Sequence, residues 1–222
     1  MSKKKKNSPQ SVQTPENVGA RTEGEEKKKE PSMGRELLGD IIMIIIVVIG
    51  VFLLEKYVLL NAKIPSESMQ NTIMVGNRIF GNRLAYRDEG PDRYDIIIFK
   101  YPDDESQYFI KRVIGLPGDE IDIHDGNVYV NGSETPLTDS FCPLQGVTDE
   151  GDLDYPLIVP DDCYFMLGDN REHSKDSRYW DQPFVRSDQI LAKAVLRYWP
   201  LGKLGMLKHG QEDYYQPPAA GA

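Results

Sequence analysis

The segment LLGDIIMIIIVVIGVFLLEKYVLL, Leu37 to Leu60, restricts this chain more than any other. Its uncharged centre, Ile41–Leu54, has 14 residues and as a helix would measure only about 21 Å, short of a hydrocarbon core of roughly 30 Å. With its flanks the run has 24 residues and reaches about 36 Å, enough to cross with some tilt. It is too long for a strand and too uniformly apolar for an amphipathic helix. A cleaved leader fits poorly, because a long region precedes it and Asn61-Ala62-Lys63 is a weak small-x-small site. Residues 37–60 therefore read as a transmembrane helix, with Asp40 near one interface and Glu55 and Lys56 near the other.

Charge divides unequally about this run. Residues 1–36 hold nine Lys/Arg and six Glu, whereas the remaining 186 residues hold 17 basic and 29 acidic side chains. A basic flank before the span and an acidic body after it place the tail in the cytoplasm and the body on the extracytoplasmic side of the cell membrane. Residues 1–34 contain no aromatic side chain and are rich in Lys, Glu, Ser, Gln and Pro, so the tail 1–36 is expected to be disordered. An acidic body argues against nucleic acid as a partner. Two cysteines without C-x-x-C spacing and three scattered histidines give no metal site.

After the span, helical periodicity is scarce. Tyr94–Tyr101, Tyr108–Ile114, Cys163–Leu167 and Ile190–Trp199 are apolar strand candidates. Glu120–Ile123 and Asn127–Val130 flank Asp125-Gly126, a hairpin signal. The expected fold is mainly β, a domain over 61–210 behind one N-terminal transmembrane helix, with 211–222 as a C-terminal tail. Residues 138–157 are acidic, turn-rich and aperiodic, and read as an inserted loop bracketed by Cys142 and Cys163.

Three short segments could carry chemistry. IPSESM places Ser66 and Ser68 just past the span, but a serine needs a base to attack. His173, in a polar loop, is one candidate base. Lys111, in the strand FIKRVIGLPGD, is the other. Alternation puts Phe109, Lys111 and Val113 on one face and Ile110, Arg112 and Ile114 on the other. Two neighbouring cations on opposite faces require that one be paired. Burial lowers a lysine's pKa, and reaching neutrality near pH 7 costs roughly 4 kcal/mol of solvation. A salt-bridged or outward-facing Lys111 would have no such role. The third segment, GDNREHSKDSR, is dense in groups that orient others, including Asp169, Asn170, Ser174, Asp176 and Arg178.

IPSESM, FIKRVIGLPGD and GDNREHSKDSR, in this order behind a single span, resemble the bacterial type I signal peptidases, membrane-anchored serine proteases that remove signal peptides from exported preproteins. The resemblance runs from the span to about Pro200. It implies Ser68 as nucleophile and Lys111 as general base. It implies Ser66, with the Ser68 N–H, as the oxyanion hole, and Ser174 as the hydroxyl that hydrogen-bonds and orients the lysine. Asp176 and Arg178 would be a supporting ion pair, and Gly168 would pack near the lysine. The implied fold is mostly β, with the site beside the membrane surface; the implied partners are signal-peptide-bearing preproteins and the lipid bilayer. No metal or other cofactor is implied.

The family often has Pro-Thr-Leu where this chain has Asn71-Thr72-Ile73, and losing the proline should loosen that turn. Rival readings are a soluble self-cleaving Ser-Lys repressor, opposed by the span, and a penicillin-binding enzyme, whose S-x-x-K spacing occurs only at Ser2–Lys5. A membrane-tethered, non-catalytic β binding module is the rival from another class. Cys142 and Cys163 are open to a disulfide or to two separate thiols.

Overall fold

The computed structural model describes residues 33–142 and 144–210. The expected tails lie outside these residues, apart from 33–36.

One helix, α1 (Met33–Tyr57), carries the apolar run. Within it Leu37–Tyr57, 21 residues of mean hydropathy 3.1, is long and apolar enough to cross a membrane. Its apolar side chains are exposed right around the helix, from Ile41 to Leu54, the pattern of a helix whose surroundings are apolar rather than aqueous. The helix stops at Tyr57, not Leu60. Leu59 and Leu60 already belong to a strand, paired with Asn82 and Gly81, and Leu60 is buried in the core. Hydropathy alone does not separate a leucine facing lipid from one facing a protein interior.

The described residues that follow form eleven strands: β1 (Leu59–Lys63), β2 (Arg78–Asn82), β3 (Ile96–Tyr101), β4 (Asp104–Gly115), β5 (Glu120–His124), β6 (Asn127–Val130), β7 (Leu157–Ile158), β8 (Cys163–Leu167), β9 (Phe184–Arg186), β10 (Ile190–Trp199) and β11 (Gly205–Met206). Eight make a sheet in the order β1-β2-β10-β3-β4-β8-β9, with β11 on β10; the others make a small sheet, β6-β5-β7. The fold is mainly β, as the strand pattern indicates.

The central strand β3 is buried on both faces. Ile96 and Ile98 join a core with Leu60, Met69, Ile73 and Leu207, while Ile97 and Phe99 join a second with Val113, Met166 and Trp180. Such two-sided burial explains the continuous apolar run IIIF. A third core, around Ile121, Val128 and Phe165, lies under the small sheet. Residues 138–157 have no helix or strand before Leu157 among the described residues. They are nonetheless packed: Phe141 and Cys142 are buried in the third core, and Asp139 pairs with Arg171 at 2.7 Å.

Candidate active site

The site is assembled by β4, by the turn after β1, and by the loop after β8. Past Lys63, the chain makes a tight turn through IPSESM, closed by Gln70 N–H donating to Glu67 O (2.8 Å) and Ile73 N–H to Met69 O (2.7 Å). Met69 and Ile73 are fully buried and act as the anchor of the turn. Ser68, between the exposed Glu67 and the buried Met69, is itself only 5% exposed.

Lys111 lies on β4 between Phe109 and Val113 of its own face, opposite Ile97 of β3. It is 4% exposed. Its Nζ donates to Ser68 Oγ at 2.6 Å. Burial pushes its pKa down to about 8, against the upward pull of the Asp176 and Asp169 carboxylates. Such a lysine can release its proton near neutral pH. Arg112, its neighbour on the opposite face, is the paired cation that the alternation requires. Its Nε and Nη2 donate to the two oxygens of Asp169 at 2.8 and 2.7 Å, and both residues are fully buried.

The GDNR loop then holds the serine turn from behind. Asn170 N–H donates to Ser68 O at 3.0 Å, and Asn170 Nδ2 to Glu67 O at 3.2 Å. Thr72 Oγ1 donates to Asp169 Oδ2. The turn expected to be loose is therefore tied down by other means. Asn71 sits at φ 87°, a conformation open to asparagine and closed to proline. Its Nδ2 donates to Phe141 O at 3.0 Å, and Arg197 Nη1 donates to Thr72 O at 3.1 Å.

The remaining residues fall into place unequally. Ser66 Oγ is 3.4 Å from Ser68 Oγ, and Ser66 is exposed. Asp176 and Arg178 form a fully buried pair at 2.8 Å, and Asp176 Oδ2 also accepts from Gly168 N–H at 3.0 Å. Gly168 is where the backbones close up: a Cβ there would stand 2.2 Å from Ser174 Oγ and 2.5 Å from Ser68 O. Ser174 departs from the expectation. It is buried beside Gly168 and Ser68, but its Oγ makes no hydrogen bond among the described residues; Lys111 Nζ is directed to Ser68 instead. His173 is exposed and makes no hydrogen bond to Ser68. Both cysteines are free thiols, and burial pushes Cys142 up to about 12. Sequence reasoning takes Asp169 and Asn170 only as orienting groups of their loop and assigns Arg112 and Thr72 no part in the site; the adjacency of Lys111 and Arg112 was the available signal.

The signal peptidase family, peptidase S26, matches residues 37–199 of this chain. The chain belongs to that family. A probable signal peptidase I-2 of Synechocystis is 34% identical, with 89% of this chain and 88% of the relative covered. A signal peptidase I of Leptolyngbya laminosa is 37% identical over 65% of this chain and 70% of its own length. Signal peptidase IB of Staphylococcus aureus is 32% identical over 77% of this chain and 94% of its own. Among solved structures, a signal peptidase I from Enterococcus faecalis aligns with 47% of this chain and 97% of its own, at 33% identity and a TM-score of 0.39.

Proposed function

We propose that this chain is a membrane-anchored signal peptidase I in which Ser68 and Lys111 form the catalytic dyad. As a serine endopeptidase of its family, it acts on signal-peptide-bearing preproteins. The observation that carries the dyad is the 2.6 Å contact between Ser68 Oγ and a buried lysine whose pKa is lowered to about 8.

The cycle follows from that contact. With a pKa of about 8, about one Lys111 in ten is neutral at pH 7. Neutral Lys111 takes the Ser68 proton as Oγ attacks the scissile carbonyl carbon. The oxyanion is held by the Ser66 hydroxyl and the Ser68 N–H. The Lys111 ammonium then gives its proton to the departing amine, leaving the acyl ester on Ser68. Water, deprotonated by Lys111, attacks the ester; Ser68 Oγ leaves, taking that proton back from the Lys111 ammonium, and the signal peptide departs with its new carboxyl group. Asp169, Arg112 and Asn170 keep the serine turn fixed; Asp176 and Arg178 keep Gly168 against it. The residue before the cut is small, following the pattern of exported leaders.

The helix α1 anchors the enzyme in the bilayer. Lysine and arginine precede it, which supports an N-terminus in the cytoplasm and a dyad on the other side of the membrane. The serine lies close in sequence to the helix end: Tyr57 to Ser68 spans at most about 40 Å when extended, so the dyad stays near the membrane surface. Cleavage of a preprotein with a small-x-small site by the full chain in detergent tests the reading. Ser68→Ala should abolish the cut; a Ser68→Ala enzyme that still cuts would refute it.

A further inference from the structure

Behind the dyad, the end of the described chain closes a polar layer. Leu207 is buried with Met69, Ile73 and Ile96, and its N–H donates to Val195 O at 2.9 Å. Two residues on, His209 makes a double connection. Its Nδ1 accepts the Ile96 N–H at 3.0 Å. Its carbonyl accepts from Arg112 Nη1 at 3.0 Å, with the Lys208 carbonyl at 3.5 Å from the same nitrogen. Ile96 stands opposite Arg112 in the β3–β4 ladder, and Ile97 opposite Lys111. A single residue thus ties both strands at the step next to the lysine.

The tie continues to the nucleophile. The guanidinium that His209 holds grips Asp169 with its other nitrogens. Asp169 accepts the Thr72 hydroxyl, and the next residue, Asn170, holds Ser68 O at 3.0 Å. The imidazole packs on Asp95, whose Oδ1 is 3.6 Å from it and 2.6 Å from Lys193 Nζ. The other Asp95 oxygen accepts from Tyr86 OH at 2.8 Å and Asp92 N–H at 3.2 Å. Burial lowers the His209 pKa to about 4, so at neutral pH the ring is uncharged and Nδ1 keeps the lone pair that accepts Ile96. His209 lies beyond residues 37–199, which match the family.

We infer that His209 is a positioning residue for the reaction, a latch that sets the Arg112–Asp169 pair and through it the Ser68–Lys111 distance. This rests on the dyad reading. A residue without an acceptor at this place would leave the buried Ile96 N–H unpaired and loosen the Lys208 and His209 carbonyls, so that Arg112 Nη1, which also donates to Tyr94 O at 2.7 Å, shifts towards that carbonyl and the guanidinium turns against Asp169. Asp169 would then be less neutralised, and its field would raise Lys111.

The test compares the full chain with His209→Leu, His209→Asn and Ser68→Ala in detergent. A preprotein substrate is used, with the folded fraction measured by circular dichroism. His209→Leu should lose about tenfold in kcat, in line with a buried N–H left unpaired one residue from the strand step that faces Lys111. KM should stay within about twofold, and the acid limb of the kcat–pH profile should move to higher pH. His209→Asn, whose Oδ1 can accept Ile96 N–H, should restore most of both. If His209→Leu does not fold, His209→Ala is measured in the same way. A folded variant without the acceptor that keeps the wild-type kcat and pH midpoint, or an asparagine variant as impaired as leucine, would overturn the inference. Ser68→Ala separates the two readings. If it is inactive while His209→Leu is normal, only the latch fails; if it is active, the dyad itself fails.

Discussion

Lys111 should make the enzyme less stable than a variant that cannot work. Its pKa is displaced from an ordinary 10.5 to about 8, chiefly by burial, and that displacement corresponds to roughly 3 kcal/mol. The sign follows from proton counting. Between pH 8 and 10.5 the unfolded chain binds a proton here that the folded chain does not, so stability rises with pH across that window. Below about 8 the folded state carries the whole cost of a buried ammonium. Lys111→Met removes the charge, keeps the apolar stem between Phe109 and Val113, and forfeits one hydrogen bond to Ser68, worth about 1 kcal/mol. The variant should therefore be more stable than wild type by roughly 2 kcal/mol at pH 7. The advantage should shrink towards pH 10.5 while activity is lost. Urea unfolding of the two detergent-solubilised proteins over this pH range gives the difference curve, in which other titrating groups cancel. A difference independent of pH, or a variant less stable at pH 7, would refute the reasoning.

Other outcomes follow from single contacts. Gly168→Ala should lose more than about tenfold in kcat, because the new Cβ meets backbone at Ser68 O, 2.5 Å away; wild-type kcat would show that the backbones can part freely. Asn71→Pro, which installs the residue the family often has, should cost more than about 1 kcal/mol, since φ is 87° here; a neutral or higher melting temperature would contradict that. Ser66→Ala should lower kcat by roughly 10²–10³ if its hydroxyl holds the oxyanion, as steady-state cleavage will read. A thiol count on denatured protein should give two without reductant, matching free Cys142 and Cys163; a count of zero that rises with reductant would show a disulfide.

Much of this architecture is visible in the sequence because it is local. The alternation in FIKRVIG shows that Lys111 shares its face with Phe109 and Val113, and the apolar runs mark β3, β4, β8 and β10. Strand β1 escapes notice because Leu59 and Leu60 extend the apolar run without a break, and β2, RIFGN, is short and carries a glycine. The two-residue strands β7 and β11 exist only through their partners. In the site, the missing pieces are long-range. Nothing near Arg112 in sequence identifies Asp169 as its partner, and nothing near Asn71 points to the Phe141 carbonyl that holds it. Family resemblance foresaw a bond from Ser174 to the lysine; the hydroxyl lies beside Gly168 and makes no hydrogen bond among the described residues. Nothing near His209, at the end of the expected domain, points to the Ile96 N–H that it accepts.

The most direct test of the account is cleavage of one preprotein by wild type, Ser68→Ala and Lys111→Met, side by side, each checked for folding. Wild type should cut at the small-residue site, and neither folded variant should cut. A normal rate from Lys111→Met would place the base elsewhere and contradict the dyad at its centre.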